Sequence, residues 1–535
     1  MLNNPDVLIV GGSLTGLSEA VFLSYQGVRC MVIERHAATT VQYKFAGISP
    51  RSMEIYRSVG IDEDIRQNRT GDQKSGEIAR VRNLADPDVT LMGRPWADTA
   101  DLSSSTAETC DQESLEPILR AHAERLGADV RFHTELLDFE QDDREVSARV
   151  RNLETGQEKV IKASYLVAAD GVAGTVREKL GIGRQGPGIL QHWMNVIFET
   201  DLQPYLMGEK FTACFVTDIN GTFTPRGSRW LMALQYQPEQ GQRPEDFNEE
   251  YTAQLVRKGA GRDDVSVRLF DARKWDVMAY VADRFQEGRT FLIGDAAHVM
   301  PPTGGFGGNT GIHDAHNLAW KLAFVLRGNA NGQLLESYNT ERRPVVQRTS
   351  GQALSRLSAW FKDLSNHVLA PDPIVDDLAV IFGYLYQSGA VIPEEWSNEA
   401  FEDPRYPSGR PGSRAPHLMI ERKGTKVGIH DLVSKSFIVL TGPLGHLWCD
   451  AAAQASRRFG MELPCICIGG SGDTIDLQGR FQSSYGVGED GAVLIRPDGF
   501  IAWRSRDSAT DPASILDQVL TKLFLKPGKG VRIAS

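Results

Sequence analysis

The chain begins with two short apolar runs separated by a helical pattern. Residues 6–10 and 30–33 are almost wholly apolar, which is typical of buried parallel strands. Between them one apolar face recurs at helical spacing and is formed by Leu17, Ala20, Val21 and Leu23. Gly27 ends this pattern. The order predicts a strand, a helix over residues 17–26 and a second parallel strand.

Two later apolar runs also end in glycine-containing turns. Residues 165–171 (YLVAADG) predict a buried strand that ends at Asp170, and residues 291–295 (FLIGD) predict another that ends at Asp295. A loop rich in proline and glycine follows the second run and leads to a helix from about Asn309. Residues 187–284 instead alternate apolar and polar positions, which indicates an antiparallel sheet.

The last third of the chain shows a further change of pattern. Residues 346–402 favour helices, and the stretch 403–417, rich in proline, glycine and arginine, predicts a linker. Beyond it, apolar runs at 437–441, 464–468, 493–495 and 500–503 predict strands, with helices over 450–459 and 512–524. This interleaved order is thioredoxin-like.

Composition and charge narrow the class of protein. A length of 535 residues exceeds what one core supports, so several domains are expected. The net charge of −11 argues against a basic surface of the kind that binds nucleic acid. No apolar run approaches the ~18–20 residues of a membrane span. The six cysteines lack C-x-x-C spacing, which argues against a disulfide framework, a zinc site or a dithiol centre. We expect a cytoplasmic protein.

The turn after the first strand has the spacing of a dinucleotide-binding fingerprint with Ser13 in place of the middle glycine. Gly11 permits a tight turn, Gly16 permits close helix packing, and Glu34 ends the second strand about 20 residues further on. A phosphate group is held in such turns by backbone amides, here those of Ser13, Leu14, Thr15 and Gly16. The Ser13 hydroxyl is a further donor, so the sequence predicts a nucleotide cradle.

With these motifs the chain resembles the FAD-dependent aromatic hydroxylases, the single-component group A flavoprotein monooxygenases. The resemblance rests on the N-terminal fingerprint ending in Glu34, on Asp170-Gly171, and on the run from Gly294 to His298 followed by Pro301-Pro302. Residues 47–57 (GISPRSMEIYR), 112–119 (QESLEPIL) and 338–344 (YNTERRP) are also similar. Hydroxylases of this group that act on phenols and polyketides are similar in carrying a thioredoxin-like C-terminal domain.

The resemblance implies a role for each motif in holding FAD. Residues 11–16 would bind the pyrophosphate, Glu34 the adenosine ribose, and Arg35 would lie beside the adenine. Gln112 would reach the ribityl or phosphate region, Asp170 would support the pyrophosphate, and Gly294-Asp295 would bind the ribityl chain. The isoalloxazine ring would be lined by Pro302, Gly304, Gly305, Gly307, Gly308 and Asn309. Two positions depart from the family: Lys44 stands where arginine is frequent, and Gly174 where serine is usual. No metal site is expected.

The implied fold class is α/β, with a Rossmann-like FAD-binding domain, an antiparallel-sheet substrate domain and a C-terminal thioredoxin-like α/β domain. The FAD-binding domain would be discontinuous, over residues 1–75, 105–186 and 285–345. Residues 76–104 and 187–284 would form the substrate domain, 346–402 a helical connection, and 408–535 the thioredoxin-like domain. Homo-oligomerisation is left open.

The implied function is NAD(P)H- and FAD-dependent hydroxylation of an aromatic substrate through a C4a-hydroperoxyflavin, with dioxygen as co-substrate. The substrate would be a phenolic compound derived from a polyketide, or a pyridinol, in antibiotic biosynthesis. The candidates to line the substrate are the aromatics Phe215, Tyr236 and Trp275, together with Pro302 and Gly304. His192, Arg226 and Arg229 are candidates to orient a phenolate, although each is typical of ordinary sheet positions. A Baeyer–Villiger or oxidative-decarboxylating monooxygenase and a non-catalytic flavin-carrying binding protein remain alternatives.

Overall fold

A computed structural model describes residues 4–40, 45–70, 77–93, 96, 99–202, 211–226, 229–360, 372–395, 399–433, 435–469 and 474–524. Up to residue 183 the elements are β1 (Val7–Val10), α1 (Leu14–Tyr25), β2 (Cys30–Ile33), β3 (Gly47–Ile48), α2 (Pro50–Ser58), α3 (Asp62–Gln67), β4 (Glu77–Val81), β5 (Thr90–Gly93), β6 (Glu108–Thr109), α4 (Gln112–Arg125), β7 (Asp129–Arg131), β8 (Thr134–Gln141), β9 (Val146–Asn152), β10 (Glu158–Ala163), β11 (Tyr165–Ala168) and α5 (Val176–Lys179).

From residue 184 to residue 360 the chain forms two long strands and the two longest helices. The elements are β12 (Arg184–Thr200), β13 (Phe211–Val216), β14 (Gly221–Arg226), β15 (Arg229–Tyr236), α6 (Glu249–Ala260), β16 (Val267–Ala282), β17 (Gln286–Glu287), β18 (Thr290–Leu292), β19 (His298–Val299), α7 (Phe306–Leu326) and α8 (Glu336–Trp360). Helix α8 runs without a break through residue 345, where the sequence predicted the end of an FAD-binding segment.

The remaining described residues form a smaller α/β unit after one short helix. The elements are α9 (Asp377–Phe382), β20 (Met419–Arg422), β21 (Thr425–Gly428), β22 (Ile438–Thr441), α10 (His446–Phe459), β23 (Cys465–Cys467), β24 (Thr474–Asp476), α11 (Phe481–Tyr485), β25 (Ala492–Ile495), β26 (Ile501–Ser505) and α12 (Pro512–Phe524). Within the predicted helical region 346–402, the described residues contain the end of α8 and all of α9, and residues 361–371 and 396–398 lie outside the described part.

Two large sheets define the first two-thirds of the molecule. One has the order β17-β18-β11-β1-β2-β7, and its strands β18, β11, β1, β2 and β7 are parallel. The other has the order β19-β16-β12-β15-β14-β13-β4-β5 and is antiparallel except for the β13–β4 pair. The α/β fold class predicted from the sequence is therefore confirmed. Helix α1 packs against strands β1 and β2 of the parallel sheet and against α7.

The C-terminal unit has a four-stranded sheet in the order β23-β22-β25-β26. Strands β22 and β23 are parallel, and β25 and β26 run antiparallel to their neighbours, which is the thioredoxin-like order. Helices α10 and α12 pack against each other over this sheet. The cysteine spacing argued against disulfides, and this expectation is wrong here, because a disulfide joins Cys449 on α10 to Cys465 on β23.

Buried charges join this unit to the rest of the molecule. Arg496 donates to both carboxylate oxygens of Glu341 on α8 and also to Asp498, and all three side chains are almost completely buried. Lys321 on α7 donates to Glu341 at 2.7 Å. Burial alone would raise the pKa of Glu341, but Arg496 and Lys321 hold that pKa well below its usual value. The C-terminal unit is therefore held by a buried ionic cluster as well as by apolar contact.

Four histidines with lowered pKa values make stability depend on pH. Burial lowers the pKa of His316 to about 3 and that of His417 to about 4, and it holds the pKa values of His313 and His430 well below the usual range. Unfolded histidine takes up a proton near pH 6.5, so the unfolded chain binds more protons than the folded chain between about pH 6.5 and 4. Folded stability must then fall as the pH drops through this window.

We expect the urea midpoint of unfolding to be lower at pH 5 than at pH 7.5. Each full proton of difference changes the free energy of unfolding by about 1.4 kcal/mol per pH unit. Four carboxyl groups whose pKa values burial raises act in the opposite direction: Glu19, Asp111, Asp170 and Glu402. His122, whose pKa burial lowers, adds to the effect of the four histidines. His417→Leu removes one of the four titrating histidines, so the free energy of unfolding should change less with pH in this variant than in the parent. A midpoint that is equal at both pH values would contradict the prediction.

No helix among the described residues is long and apolar enough to cross a membrane, and the same residues contain no cluster of three or more metal-ligating side chains.

Candidate active site

Four of the sequence motifs meet at one edge of the parallel sheet. Gly11 follows β1, Glu34 follows β2, Asp170 lies just after β11, and Asp295 lies just after β18. These strands are parallel and adjacent, so their carboxyl ends lie along the same edge. In open α/β sheets this edge is where ligands bind.

The β1–α1 turn requires glycine at both predicted positions. Gly11 has φ +107°, and a Cβ on it would lie 2.2 Å from the carbonyl oxygen of Ala169. A Cβ on Gly16 would lie 2.0 Å from the carbonyl oxygen of Gly11. No side chain fits at either distance, so the turn closes tightly and brings the start of α1 to the sheet edge.

A negatively charged side chain lies at the start of α1. A carboxylate oxygen of Glu116, on α4, accepts from the backbone N–H of Leu14 at 3.0 Å and from the Ser13 hydroxyl at 2.5 Å. Gln112 donates to the same carboxylate oxygen at 2.6 Å and to the Ser13 hydroxyl at 2.9 Å. A helix N-terminus favours an anion at this position, and the carboxylate stands in for one. Glu116 lies within the stretch 112–119, but no spacing or motif in the sequence marks it for this contact.

Glu34 closes over the β1–α1 turn. One carboxylate oxygen accepts from the backbone N–H of Gly12 at 2.7 Å, and the other accepts from the backbone N–H of His36 at 2.9 Å. Arg35 is exposed beside it. Glu34 is therefore held at the end of β2 by the turn itself, in the position from which a carboxylate reaches a ribose.

The glycine at position 174 has a structural reason. The Asp170 carboxylate accepts from the backbone N–H of Val176 at 3.1 Å, and burial raises its pKa. A Cβ on Gly174 would lie 2.1–2.4 Å from that carboxylate. Any side chain at 174 would displace Asp170, so the glycine keeps this carboxylate folded over its own turn.

The third motif forms a short 3₁₀ turn, Gly294–Ala296, directly after β18. Gly294 has φ +56°, and Thr15 packs against its Cα and against Gly311 on α7. The Asp295 side chain is exposed, whereas both of its neighbours in the turn are buried. The turn therefore presents a carboxylate to the space beside the sheet edge.

Helix α7 begins at Phe306, three residues earlier than predicted, with Gly305 as its N-cap at φ +65°. Gly307 and Gly308 consequently lie in its first turn, where backbone N–H groups have no partner inside the helix. Pro302 and Gly305 are exposed, and Gly304 is half-buried with φ +85°. The exposed loop and the helix start together form a glycine-lined surface with positive potential.

Asn309 holds this surface to the neighbouring chain segment. Its amide donates to the carbonyl oxygens of Gly47 and Gly305 at 3.0 and 2.8 Å, and its side-chain oxygen accepts from the backbone N–H of Ser49 at 2.9 Å. Because the Asn309 side chain is bonded to these two segments, the predicted contact with the flavin ring would have to come from its backbone N–H. Lys44 lies outside the described residues.

Beneath the first turns of α7 lies a buried ionic group. Asp314 accepts from Arg342 at 2.8 Å, is paired with His298 at 2.6 Å, and also accepts from the backbone N–H of Gly294. Burial alone would raise the pKa of Asp314, but His298 and Arg342 hold it below its ordinary value. This group ties the Gly294 turn to α7 and α8. The sequence signal for Arg342 was the similarity of residues 338–344 to the aromatic hydroxylases.

The antiparallel sheet separates the three predicted substrate-wall aromatics. Trp275 packs beside Trp193 at 5.8 Å between ring centres, in a cluster with Leu357 of α8. Tyr236 points to the other face of the sheet and packs in the core with Phe247. Phe215 lies on β13, four strands from Trp275, or about 19 Å at ~4.8 Å per strand. The three therefore do not line one pocket.

The three polar candidates have ordinary structural partners. His192 is hydrogen-bonded to Asp276 at 2.7 Å, and Arg229 lies over the ring of Phe270 at 3.4 Å. Arg226 donates to Asp111, the residue before α4, at 2.8 Å. Arg226 thus fastens the antiparallel sheet to the first part of the chain.

Trp96 is a site residue that the sequence analysis missed. A Cβ on Gly305 would lie 3.2 Å from its Cη2 and Cζ2, and one on Gly47 would lie 3.3 Å from its Cη2. The indole therefore faces both the glycine loop before α7 and strand β3. Its Nε1 is buried without a hydrogen-bond partner within the described structure, and its backbone has φ +56°. No periodicity or motif marks this position, because its neighbours come from distant parts of the chain.

These residues fit FAD. The β1–α1 turn has no room for a Cβ, the start of α1 accepts an anion, and carboxylates end β2 and β18. The glycine-lined start of α7 suits the flat, electron-rich edge of a reduced isoalloxazine. Residues 11–16 and Glu34 would hold the ADP part, Asp295 the ribityl chain, and the loop from Pro302 to Gly308 the ring.

Comparison with known proteins agrees with this geometry. Residues 4–353 match the family model described as "FAD binding domain", and residues 408–527 match "Aromatic-ring hydroxylase, C-terminal". The chain is 38% identical to a 4-methyl-5-nitrocatechol 5-monooxygenase of Burkholderia sp, over 97% of both chains. It is 38% identical to a tetracenomycin B2 monooxygenase-dioxygenase of Streptomyces olivaceus, over 97% of this chain and 98% of that one.

Among solved structures, a ternary complex of aklavinone-11 hydroxylase with FAD and aklavinone matches with a TM-score of 0.92 and 34% identity. The match covers 98% of this chain and 100% of the hydroxylase. The two family models and these relatives extend over nearly the whole sequence. The chain therefore belongs to the FAD-dependent aromatic-ring hydroxylases, monooxygenases that use NAD(P)H and dioxygen.

Proposed function

We propose that this enzyme hydroxylates a phenolic, polyketide-derived aromatic compound in secondary metabolism. Bound FAD would supply the redox chemistry, taking electrons from NADPH or NADH and activating dioxygen. The chain's own residues would bind and orient the ring system, exclude water and stabilise negative charge on the flavin through the start of α7. Relatives named for tetracenomycin and aklavinone support a multi-ring substrate.

The observation that carries the substrate proposal is the position of Trp96. Its buried Nε1 is an indole donor that has no hydrogen-bond partner among the described residues, and it lies beside the glycine loop that would line the flavin ring. A buried donor left unpaired is unfavourable by about 1–3 kcal/mol, so a bound acceptor there is favoured. A phenolate oxygen or a quinone carbonyl of the substrate has the required chemistry. The indole face would at the same time cover an aromatic ring.

The function is tested by aerobic turnover of the FAD-loaded enzyme with NADPH. One set of substrates contains hydroxylated naphthalenes and anthraquinones, and the other contains substituted single-ring catechols. We expect NADPH oxidation to accelerate with a multi-ring phenol and the product to gain one oxygen on an aromatic carbon. A lactone, or loss of carbon dioxide, would instead indicate the Baeyer–Villiger or decarboxylating alternative.

A second substrate class has support of its own. The nitrocatechol monooxygenase of Burkholderia is as similar in sequence as the tetracenomycin enzyme, at 38% identity. Turnover restricted to substituted catechols would replace the polyketide proposal with this one. Failure of both substrate sets to accelerate NADPH oxidation would contradict the proposed phenolic substrate.

Trp96→Phe should raise KM for the aromatic substrate about fivefold while leaving FAD content unchanged. Phenylalanine keeps an aromatic face but removes the N–H, and loss of one neutral hydrogen bond is worth about 1 kcal/mol. The fraction of NADPH consumed without product should also rise, because the ring is less firmly oriented. Trp360→Phe, at an exposed tryptophan, is the matched control. An unchanged KM and unchanged coupling in Trp96→Phe would remove the proposed contact.

A further inference from the structure

Three cysteine sulfurs meet on the C-terminal unit. Cys449 on α10 is joined to Cys465 on β23 by a disulfide, with their Cα atoms 5.1 Å apart. The free thiol of Cys467, on the same strand, lies 3.6 Å from the Sγ of Cys449. The three residues are each half-buried. A third sulfur is therefore in contact with an existing disulfide, at a place that solvent reaches.

The fold explains how this cluster arises from scattered sequence positions. Cys465 and Cys467 are two residues apart on a strand, so their side chains point to the same face, and Ile466 points into the core on the other. Strand β23 runs parallel to β22, and α10 connects the two across that face. Cys449 lies in the second turn of α10, where it reaches either strand cysteine.

The other three cysteines have a different environment. Cys30, Cys110 and Cys214 are buried, and burial raises the pKa of each thiol to about 12. Thiols of this kind are unreactive because the nucleophile is the thiolate. Burial also raises the pKa of the Cys467 thiol, but Cys467 is half-buried and touches a disulfide, whereas the other three free thiols are buried.

We propose that Cys449, Cys465 and Cys467 form a thiol–disulfide exchange site, oxidised by hydrogen peroxide, in which Cys449 is the shared partner of two alternative disulfides. The resting disulfide is Cys449–Cys465. The alternative is Cys449–Cys467. The two strand cysteines compete for one helix cysteine, so the site can pass between the two states without unfolding of β23.

Each step balances. In oxidation, one thiol loses its proton and the thiolate attacks an oxygen of hydrogen peroxide; the O–O bond breaks, the released hydroxide takes up that proton to become water, and a sulfenic acid remains. A second thiol then attacks the sulfenic sulfur, the S–O bond breaks, a second water leaves and the S–S bond forms. Two electrons pass from the two sulfurs to the peroxide. In exchange, the Cys467 thiolate attacks Sγ of Cys449, the bond to Cys465 breaks, and Cys465 takes up the proton that Cys467 lost.

One source of the oxidant rests on the proposed function. A flavin monooxygenase that consumes NADPH without hydroxylating a substrate releases hydrogen peroxide instead. The cluster lies on the same molecule, so its oxidation state would record such uncoupled turnover.

The test begins with FAD-loaded enzyme that has been reduced, freed of reductant and treated with hydrogen peroxide. Remaining thiols are alkylated, and the disulfide-linked peptides are identified by mass. We expect one disulfide per chain in the parent, shared between Cys449–Cys465 and Cys449–Cys467. Cys465→Ser should form Cys449–Cys467 in most chains, and Cys467→Ser should form only Cys449–Cys465. Cys449→Ser should form neither.

Two results would overturn the proposal: no Cys449–Cys467 disulfide in a folded Cys465→Ser protein, or a parent that keeps six free thiols in excess peroxide. A second arm uses NADPH and air without aromatic substrate, with and without catalase. Oxidation of the cluster that catalase prevents supports the peroxide source. Oxidation by added peroxide but not by turnover keeps the exchange site and removes its link to the proposed function.

Discussion

Arg496→Met is expected to lower the free energy of unfolding of the C-terminal unit by about 3–5 kcal/mol, the usual effect of removing one partner from a buried ion pair. Arg496 donates to Glu341 on α8 at 2.9 Å and to Asp498 at 3.0 Å, and it is fully buried. Methionine has similar length but no charge. It would leave the buried carboxylates of Glu341 and Asp498 with the Lys321 ammonium and with neutral donors from Asn317, Trp320 and Ser388.

The measurements are the urea midpoint and the rate of proteolysis within residues 403–417, which should rise as the unit loosens. Arg506→Met is the matched control, because Arg506 also pairs with a carboxylate, Glu394, but is 62% exposed. Exposed pairs contribute about 0–1 kcal/mol. If the two variants lost equal stability, the buried cluster would not be what holds the C-terminal unit in place.

Asp295→Ala is expected to weaken FAD binding about 10- to 150-fold, which corresponds to the ~1.5–3 kcal/mol of a hydrogen bond to a charged group. Asp295 is exposed in the turn after β18, where its carboxylate can accept from ribityl hydroxyls. Alanine removes both acceptors and leaves the turn itself intact, because Gly294 supplies the unusual backbone angle. The protein should purify largely without yellow colour.

FAD content per chain and the dissociation constant on reconstitution measure this effect. Asp295→Asn keeps one acceptor oxygen without the charge, so it should fall between the parent and Asp295→Ala. An Asp295→Ala protein that retains full FAD on dilution would show that this carboxylate does not hold the ribityl chain.

The family and the fold class followed from the sequence because the relevant signals are local. Each motif combines a strand end, a turn and a charged residue within a few positions, as at Gly11–Gly16 and Gly294-Asp295. Parallel pairing then brings the carboxyl ends of neighbouring strands to one edge without further information. The start of α7 was misplaced by three residues because Gly305 caps the helix in a left-handed conformation that composition alone does not reveal. The predicted domain boundaries and the individual cofactor contacts remain predictions.

Side-chain partners were decided only by the tertiary structure. Glu116 meets Ser13 across 103 positions, and Trp96 meets Gly305 across a still longer stretch of chain. Tyr236 points to the opposite face of the sheet from Trp275. The cysteine cluster shows the same limit. Cys465 and Cys467 predict a shared face of a strand, but only the packing of α10 on β23 brings Cys449 to them. Periodicity specifies which face of a helix or strand a residue occupies. The partner that this residue contacts depends on how distant segments pack together, and spacing along the chain does not encode that packing.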